Sequence, residues 1–244
     1  MSLSAWDWFL SALGALLVGV AKTGITGLSL LFVTLFATVM PARQSTGVVL
    51  PLLILGDIVA FFSYRRHAQW SHVWRLLPWA GVGIAIGALA MGRMNERETR
   101  DSIGLIVVSL AALHLARRAG KVPETLDYGA WFAPAIGILA GFTSLVANAS
   151  GPLMVIYLLA MRLPKMEYMG TGAVFFLILN LIKFPLMVGL GLITARSLGF
   201  NLILAPAVIV GTVLGRWILG RINQRAFENL ALALTVIAGA RMFF

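Results

Sequence analysis

The chain has 244 residues, 60% of them hydrophobic and only 11% charged, against roughly 45–50% and 25% in a soluble globular domain. Its 19 Lys and Arg and 9 Asp and Glu cannot clothe a water-soluble globule of this size, so much of the surface must face lipid. The formal net charge of +10 is no nucleic-acid signal, because the basic residues fall in short clusters between apolar stretches, and the absence of Cys excludes disulfides, thiolate metal sites and a thiol nucleophile.

Met1 to Leu10 hold Asp7 and no Lys or Arg; they lack the positive start of a secretory signal and are expected to be retained. Ala5–Met40 would measure roughly 54 Å as one helix, against ~30 Å of hydrocarbon. Lys22-Thr23-Gly24-Ile25-Thr26-Gly27 interrupts it, which predicts two half-helices. Spans are predicted next at Val48–Tyr64, Val73–Gly92 and Ile103–Ala116. Gly129–Met161 is again too long and is divided at Asn148-Ala149-Ser150-Gly151-Pro152, where Pro152 suits the start of a new helix. Gly170–Gly191, Phe200–Gly220 and Ala226–Ala240 complete the spans. Trp6, Trp8, Trp70, Trp74, Trp131 and Trp217 fall near predicted ends, as interfacial indoles do.

The two halves repeat each other. Pro78, Val82, Gly83, Gly87, Gly92, Arg93, Asn95 and Arg97 recur 128 residues later as Pro206, Val210, Gly211, Gly215, Gly220, Arg221, Asn223 and Arg225. At an offset of 125, Thr46, Gly47, Val49 and Leu52 meet Thr171, Gly172, Val174 and Leu177, and at 124 Gly27 meets Gly151. A duplicated unit with one interrupted helix per copy is the signature of a secondary transporter whose site lies between the repeats.

If each broken region returns to its starting side, the copies are inverted. Arg65, Arg66, Arg75, Arg117, Arg118, Lys121, Arg162, Lys165, Arg216, Arg221 and Arg225 then share one side, against Arg43, Arg93, Arg97, Arg100, Arg196 and Arg241 on the other. Single crossings would divide the same residues almost evenly, so the inverted arrangement alone gives a clear cytoplasmic side, with both termini outside. The expected fold is an all-α polytopic membrane protein of two inverted repeats, residues 1–120 and 121–244. Each repeat is an interrupted, hairpin-like helix pair followed by three transmembrane helices.

Charge in lipid is expensive, at ~2.5–3.5 kcal/mol even on the gentler scales. Lys22, Asp57 and Lys183, with Asn180 one turn before Lys183, should therefore face the protein interior. Helix N-termini after Gly27 and Gly151 would present unpaired N–H groups and partial positive charge, and Thr23, Thr26, Asn148 and Ser150 could add neutral donors. With Gly24 in the same break, these residues describe a small-anion site, and Asp57 is the candidate proton carrier. Each has a plainer alternative: the break glycines could serve helix packing, Lys22 could snorkel, and Lys183 could pair structurally with Asp57. Gly83, Gly87, Gly211 and Gly215 read as packing contacts, and His67, His72 and His114 as surface residues.

The broken first segment, Met40-Pro41-Ala42, Ser45-Thr46-Gly47, Tyr64-Arg65-Arg66-His67-Ala68, Trp70, Leu77-Pro78 and the Gly83/Gly87 pair together resemble the sulfite exporter TauE/SafE permeases, of the toluenesulfonate-uptake type. The resemblance covers nearly the whole chain. It implies a multi-pass permease of the bacterial cytoplasmic (inner) membrane for small anions such as sulfite, sulfonates or sulfoacetate. Where many members carry a glycine run followed by Pro, this chain has no Pro until Pro41.

The expected partners are the bilayer and a small anionic substrate, without nucleic acid, metal or cofactor, and a homodimer is left open. A passive anion channel and a non-transporting assembly factor are the alternatives. An intramembrane serine protease lacks a base, since no His follows His114, and an aspartyl dyad lacks a second membrane-embedded acid beside Asp57.

Overall fold

The computed structural model describes residues 4–24, 28–90 and 129–240. Its elements are α1 (Ala5–Thr23), α2 (Ser29–Val39), α3 (Ala42–Tyr64), a 3-10 turn (Arg65–His67), α4 (Trp70–Ala90), α5 (Phe132–Ala147), α6 (Gly151–Ala160), α7 (Lys165–Gly189), α8 (Ala195–Arg221) and α9 (Gln224–Ala240). There is no strand among the described residues. Five helices, α1, α3, α4, α7 and α8, are long and apolar enough to cross a membrane. The span expected at Ile103–Ala116, the repeat residues Gly92 to Arg97, the basic residues from Arg93 to Lys121, His114 and Arg241 lie outside the described residues.

Helix starts follow local chemistry. Ser4 Oγ accepts from the Asp7 N–H (3.1 Å) while the Ser4 N–H donates to the Asp7 carboxylate (2.9 Å), a reciprocal cap that starts α1. Thr194 and Ser197 do the same for α8. The third helix begins at Ala42, well before the predicted Val48, because hydropathy marks where lipid begins. A wetted first turn with exposed Arg43 and Gln44 is helical all the same.

Both predicted breaks are present, and their limbs are unequal. The second limbs, 11 residues in α2 and 10 in α6, reach ~15–16 Å, half a bilayer. The first limbs, 19 residues in α1 and 16 in α5, reach ~24–28 Å, so the expectation of two half-helices holds only for the second. Nothing between the Ser4 cap and Gly24 interrupts α1, so its length includes a wet first turn. In each pair the limbs fold back on each other: Gly14 leaves room for the Phe36 ring, and Phe132 stacks on Tyr157 with centroids 5.7 Å apart.

The long helices are keyed together across the two halves by glycines. A Cβ on Gly211 would collide with the Leu16 carbonyl, one on Gly19 with that of Val208, and one on Gly215 with Thr23. In the other half a Cβ on Gly83 would collide with the Ile138 carbonyl, one on Gly141 with that of Ala80, and one on Gly87 would press on Leu145. The partners correspond residue for residue. The α1 positions 16, 19 and 23 map to 138, 141 and 145 on α5 at an offset of 122, and the α4 positions 80, 83 and 87 map to 208, 211 and 215 on α8 at 128. Such small residues let membrane helices pack backbone to backbone. Helices α3 and α7 run antiparallel, since Gly47 abuts Leu192, Asp57 bonds Asn180, and Gly170 abuts Tyr64 and Ala68.

Large apolar side chains point outward, among them Phe62, Leu89, Leu202, Ile203 and Val213, as a lipid-facing surface requires. Trp6, Trp70, Trp74, Trp131 and Trp217 are exposed toward helix ends, whereas Trp8 packs on Phe200 at 5.2 Å.

Candidate functional site

The two breaks meet. Ser29 opens α2 and Gly151 opens α6, and a Cβ on Gly151 would collide with Ser29 Oγ. The N-terminal ends of two helices, each with its partial positive charge, therefore converge at one point. Beside them lies a cavity with ≈ 40 Å³ open to the centres of water-sized molecules, lined by Lys22, Ser29, Ser144, Asn148, Ser150, Gly151 and Asn180 with Phe32, Leu53 and Phe176. At ~10–15 Å³ per position it holds a few waters or one compact anion. Ser29 Oγ is buried without a hydrogen-bond partner among the described residues. A second cavity of ≈ 30 Å³ on the same measure shares Ala21, Lys22 and Phe176 with the first and is otherwise lined by Asp57, Tyr168 and apolar side chains.

A directed chain of polar groups runs behind the first cavity. Asn148 ends α5 in the left-handed conformation (φ 50°, ψ 30°), which Asn tolerates better than most residues. That turn aims its side chain at α3, where Nδ2 donates to the Thr46 carbonyl (2.9 Å). Its Oδ1 accepts from Lys183 Nζ (2.7 Å), which also donates to Ser144 Oγ (2.9 Å) and Asn180 Oδ1 (3.2 Å). Asn180 Nδ2 donates to Asp57 Oδ2 (2.6 Å), and Asp57 Oδ1 lies 2.7 Å from Lys22 Nζ. The side chain of Asp57 is 0% exposed and that of Lys22 11%. Gly56 makes room for the Lys22 stem, and Phe176 lies under its ammonium at 4.5 Å.

Of the residues expected at the site, Lys22, Asn148, Ser150, Gly151 and Asn180 line the cavity, and Lys183 and Asp57 stand one bond behind it. Thr26 and Gly27 lie outside the described residues. Thr23 is turned away: its hydroxyl donates toward the Gly19 (3.1 Å) and Thr212 (2.8 Å) carbonyls, while its own carbonyl accepts from Tyr64 OH (2.6 Å). Gly24 abuts Gly215, so both Thr23 and Gly24 serve the α1–α8 contact. The structural partner of Asp57 is Lys22; Lys183 is bridged to it through Asn180, and Lys22 does not snorkel.

His67 is exposed, but His72 is half-buried and bonds Tyr157 OH through Nδ1 (3.0 Å). Sequence reasoning missed Ser29 and Ser144. The first helical residues after the breaks, Ser29 and Gly151, stand at the offset of 122 found for α1 and α5, so the offset of 124 that matched Gly27 to Gly151 was two residues out of register. At 122, Ser144 occupies the place of Lys22.

Broken helix pairs around buried charge, enclosed by lipid-facing spans, define a multi-pass membrane protein of the permease class. The chain belongs to the sulfite exporter TauE/SafE family, whose sequence model matches residues 11–242. It is 27% identical over 194 residues to a protein of Comamonas testosteroni described as "Probable inner membrane transporter protein TsaS", covering 77% of this chain and 80% of that one. No solved structure gives a significant match. Together with the membrane-length helices, these likenesses make the chain a multi-pass inner-membrane protein.

Proposed function

We propose that the protein is a secondary transporter of small anions, sulfite and compact sulfonates foremost. It is built of two inverted repeats, residues 1–120 and 121–244, and works by alternating access around a midplane site. The observation that carries the reading is the meeting of the α2 and α6 N-termini at Ser29 and Gly151, on a cavity that Lys22 also lines. Half-bilayer limbs bring these ends near the midplane.

The packing directions support inversion. Helices α3 and α7, which occupy equivalent places in the two halves, run antiparallel, and the glycine contacts of α1 on α8 recur as those of α5 on α4. These directions fit an arrangement in which each hairpin returns to its starting side and each half crosses an odd number of times, and the distribution of basic residues then puts both termini outside.

In this reading the anion sits among the N–H groups of α2 and α6, with Ser29, Ser150 and Asn148 beside it. Lys22 supplies positive charge, and Lys183 holds Asn148 and Asn180 in place. Asp57 stays ionised beside Lys22 while the anion is bound and is the candidate proton carrier once it has left. Expelling a monoanion from an inside-negative cell gains about 2.3 kcal/mol per 100 mV, a factor of roughly 50 in concentration, without a coupled ion.

The test is sulfite flux in proteoliposomes. Lys22→Gln, which keeps a donor for Asp57 and loses the charge, should cut flux by at least tenfold while the protein still inserts and elutes as folded. Undiminished flux would remove Lys22 from the site.

A further inference from the structure

The buried cluster does not balance its own charge. Among the described residues its members are Lys22, Asp57 and Lys183. Lys22 has Asp57 as counterion at 2.7 Å. Lys183, 0% exposed, has only neutral partners: Ser144 Oγ, Asn148 Oδ1 and Asn180 Oδ1.

The orientation of those partners suits Lys183 as an ammonium. Asn148 spends its amide N–H on the Thr46 carbonyl and Asn180 on the Asp57 carboxylate, so both present oxygen to Nζ. Three oxygens around Nζ can accept all three N–H groups of an ammonium. With Lys183 as an ammonium, the cluster holds two ammonium groups and one carboxylate. A buried charge without compensation is costly. The cavity lined by Asn148, Asn180, Ser144 and Lys22 is where a second negative charge would fit.

We propose that this site is built one carboxylate short, so that it selects its substrate by charge: a monoanion completes the cluster, and a dianion overfills it. This rests on the anion-site reading above and adds that the count of three buried side-chain charges, more than the shape of the anion, sets preference. Removing Asp57 alone leaves the site short by two charges, and removing Lys22 and Asp57 together leaves it short by one again. Removing Lys183 leaves it already balanced.

The experiment is calorimetric titration of the purified full chain with methanesulfonate, a monoanion at every working pH, and with sulfate, a dianion. Wild type should bind methanesulfonate at least tenfold more tightly than sulfate. Asp57→Asn should reverse that order, Lys22→Met/Asp57→Asn should restore it, and Lys183→Met should weaken both anions at least tenfold. An Asp57→Asn ratio equal to that of wild type, with binding intact, overturns the charge count and leaves the anion site standing. No binding of either anion to folded wild type removes the anion site and the proposal with it. Should Asp57→Asn fail to fold, the wild-type ratio and the double variant decide, and sulfate favoured by either one overturns the proposal.

Discussion

Removing either half of the Lys22–Asp57 pair alone should cost far more stability than removing both. At 2.7 Å and an effective dielectric of 20, the gross attraction is 332/(20 × 2.7), about 6 kcal/mol. Desolvation offsets most of it, but deleting one partner strands the other, which typically costs ~3–5 kcal/mol. Lys22→Met strands a carboxylate that is 0% exposed and belongs at the top of that range. Asp57→Asn strands an ammonium that keeps slight exposure and the face of Phe176 at 4.5 Å; a cation–π contact recovers ~0.5–2 kcal/mol, so the loss belongs nearer ~3 kcal/mol. The double variant leaves no charge behind at either position and should lose only ~1 kcal/mol. Thermal unfolding in detergent is the assay. At roughly 2–4 °C per kcal/mol for a chain of this length, Lys22→Met should melt about 10–20 °C below wild type and the double variant within a few degrees of it. Single losses that sum to the double loss within ~0.5 kcal/mol would show that the two groups are not coupled and refute the reasoning.

Ser29→Ala should weaken anion binding about five- to tenfold with little change in melting temperature, because its hydroxyl has no partner to lose; Thr23→Ala should do the opposite, since its hydroxyl ties α1 to the Thr212 carbonyl. Equal affinities for Ser29→Ala and wild type in titration would take Ser29 out of the site. Gly83→Ala and Gly211→Ala each press a methyl into a backbone carbonyl and should destabilise by a similar ~1–3 kcal/mol, measurable as matched shifts in melting temperature. Single cysteines at the exposed positions His67 and Arg196, in a chain that has none of its own, should label from opposite faces of the membrane. Labelling from one face alone would exclude inversion.

Much of the architecture was written in the residue pattern, for physical reasons. Apolar length is a direct measure of bilayer crossing, and Gly24 and Asn148 stand at the helix ends where their backbone latitude is useful. Buried charge is rare enough in lipid that Lys22, Asp57 and Lys183, with Asn180 one turn before Lys183, could be singled out before any geometry. Pairing was not legible. Hydropathy cannot say that Lys22 reaches Asp57 while Lys183 turns to Asn148, because that depends on how α1, α3, α5 and α7 rotate against one another. Ser29 looked like any hydroxyl in an apolar run. Only the residue register imposed by the glycine contacts shows that it is the counterpart of Gly151. Thr23 misled for the converse reason: a donor beside a break is equally suited to bind a neighbouring helix, and Gly215 leaves the space for it to do so.

The glycine contacts also determine what can move as a unit. Because α1 is locked to α8 and α5 to α4, each arm is clasped by the opposite half of the gene. In the alternating-access cycle proposed above, the blocks that swing past each other would then be hybrids, α1–α2 with α8 and α5–α6 with α4, and the antiparallel α3–α7 pair would be the axle between them. On that reading the moving parts are cut along a different line from the two repeats, and neither half could turn over by itself.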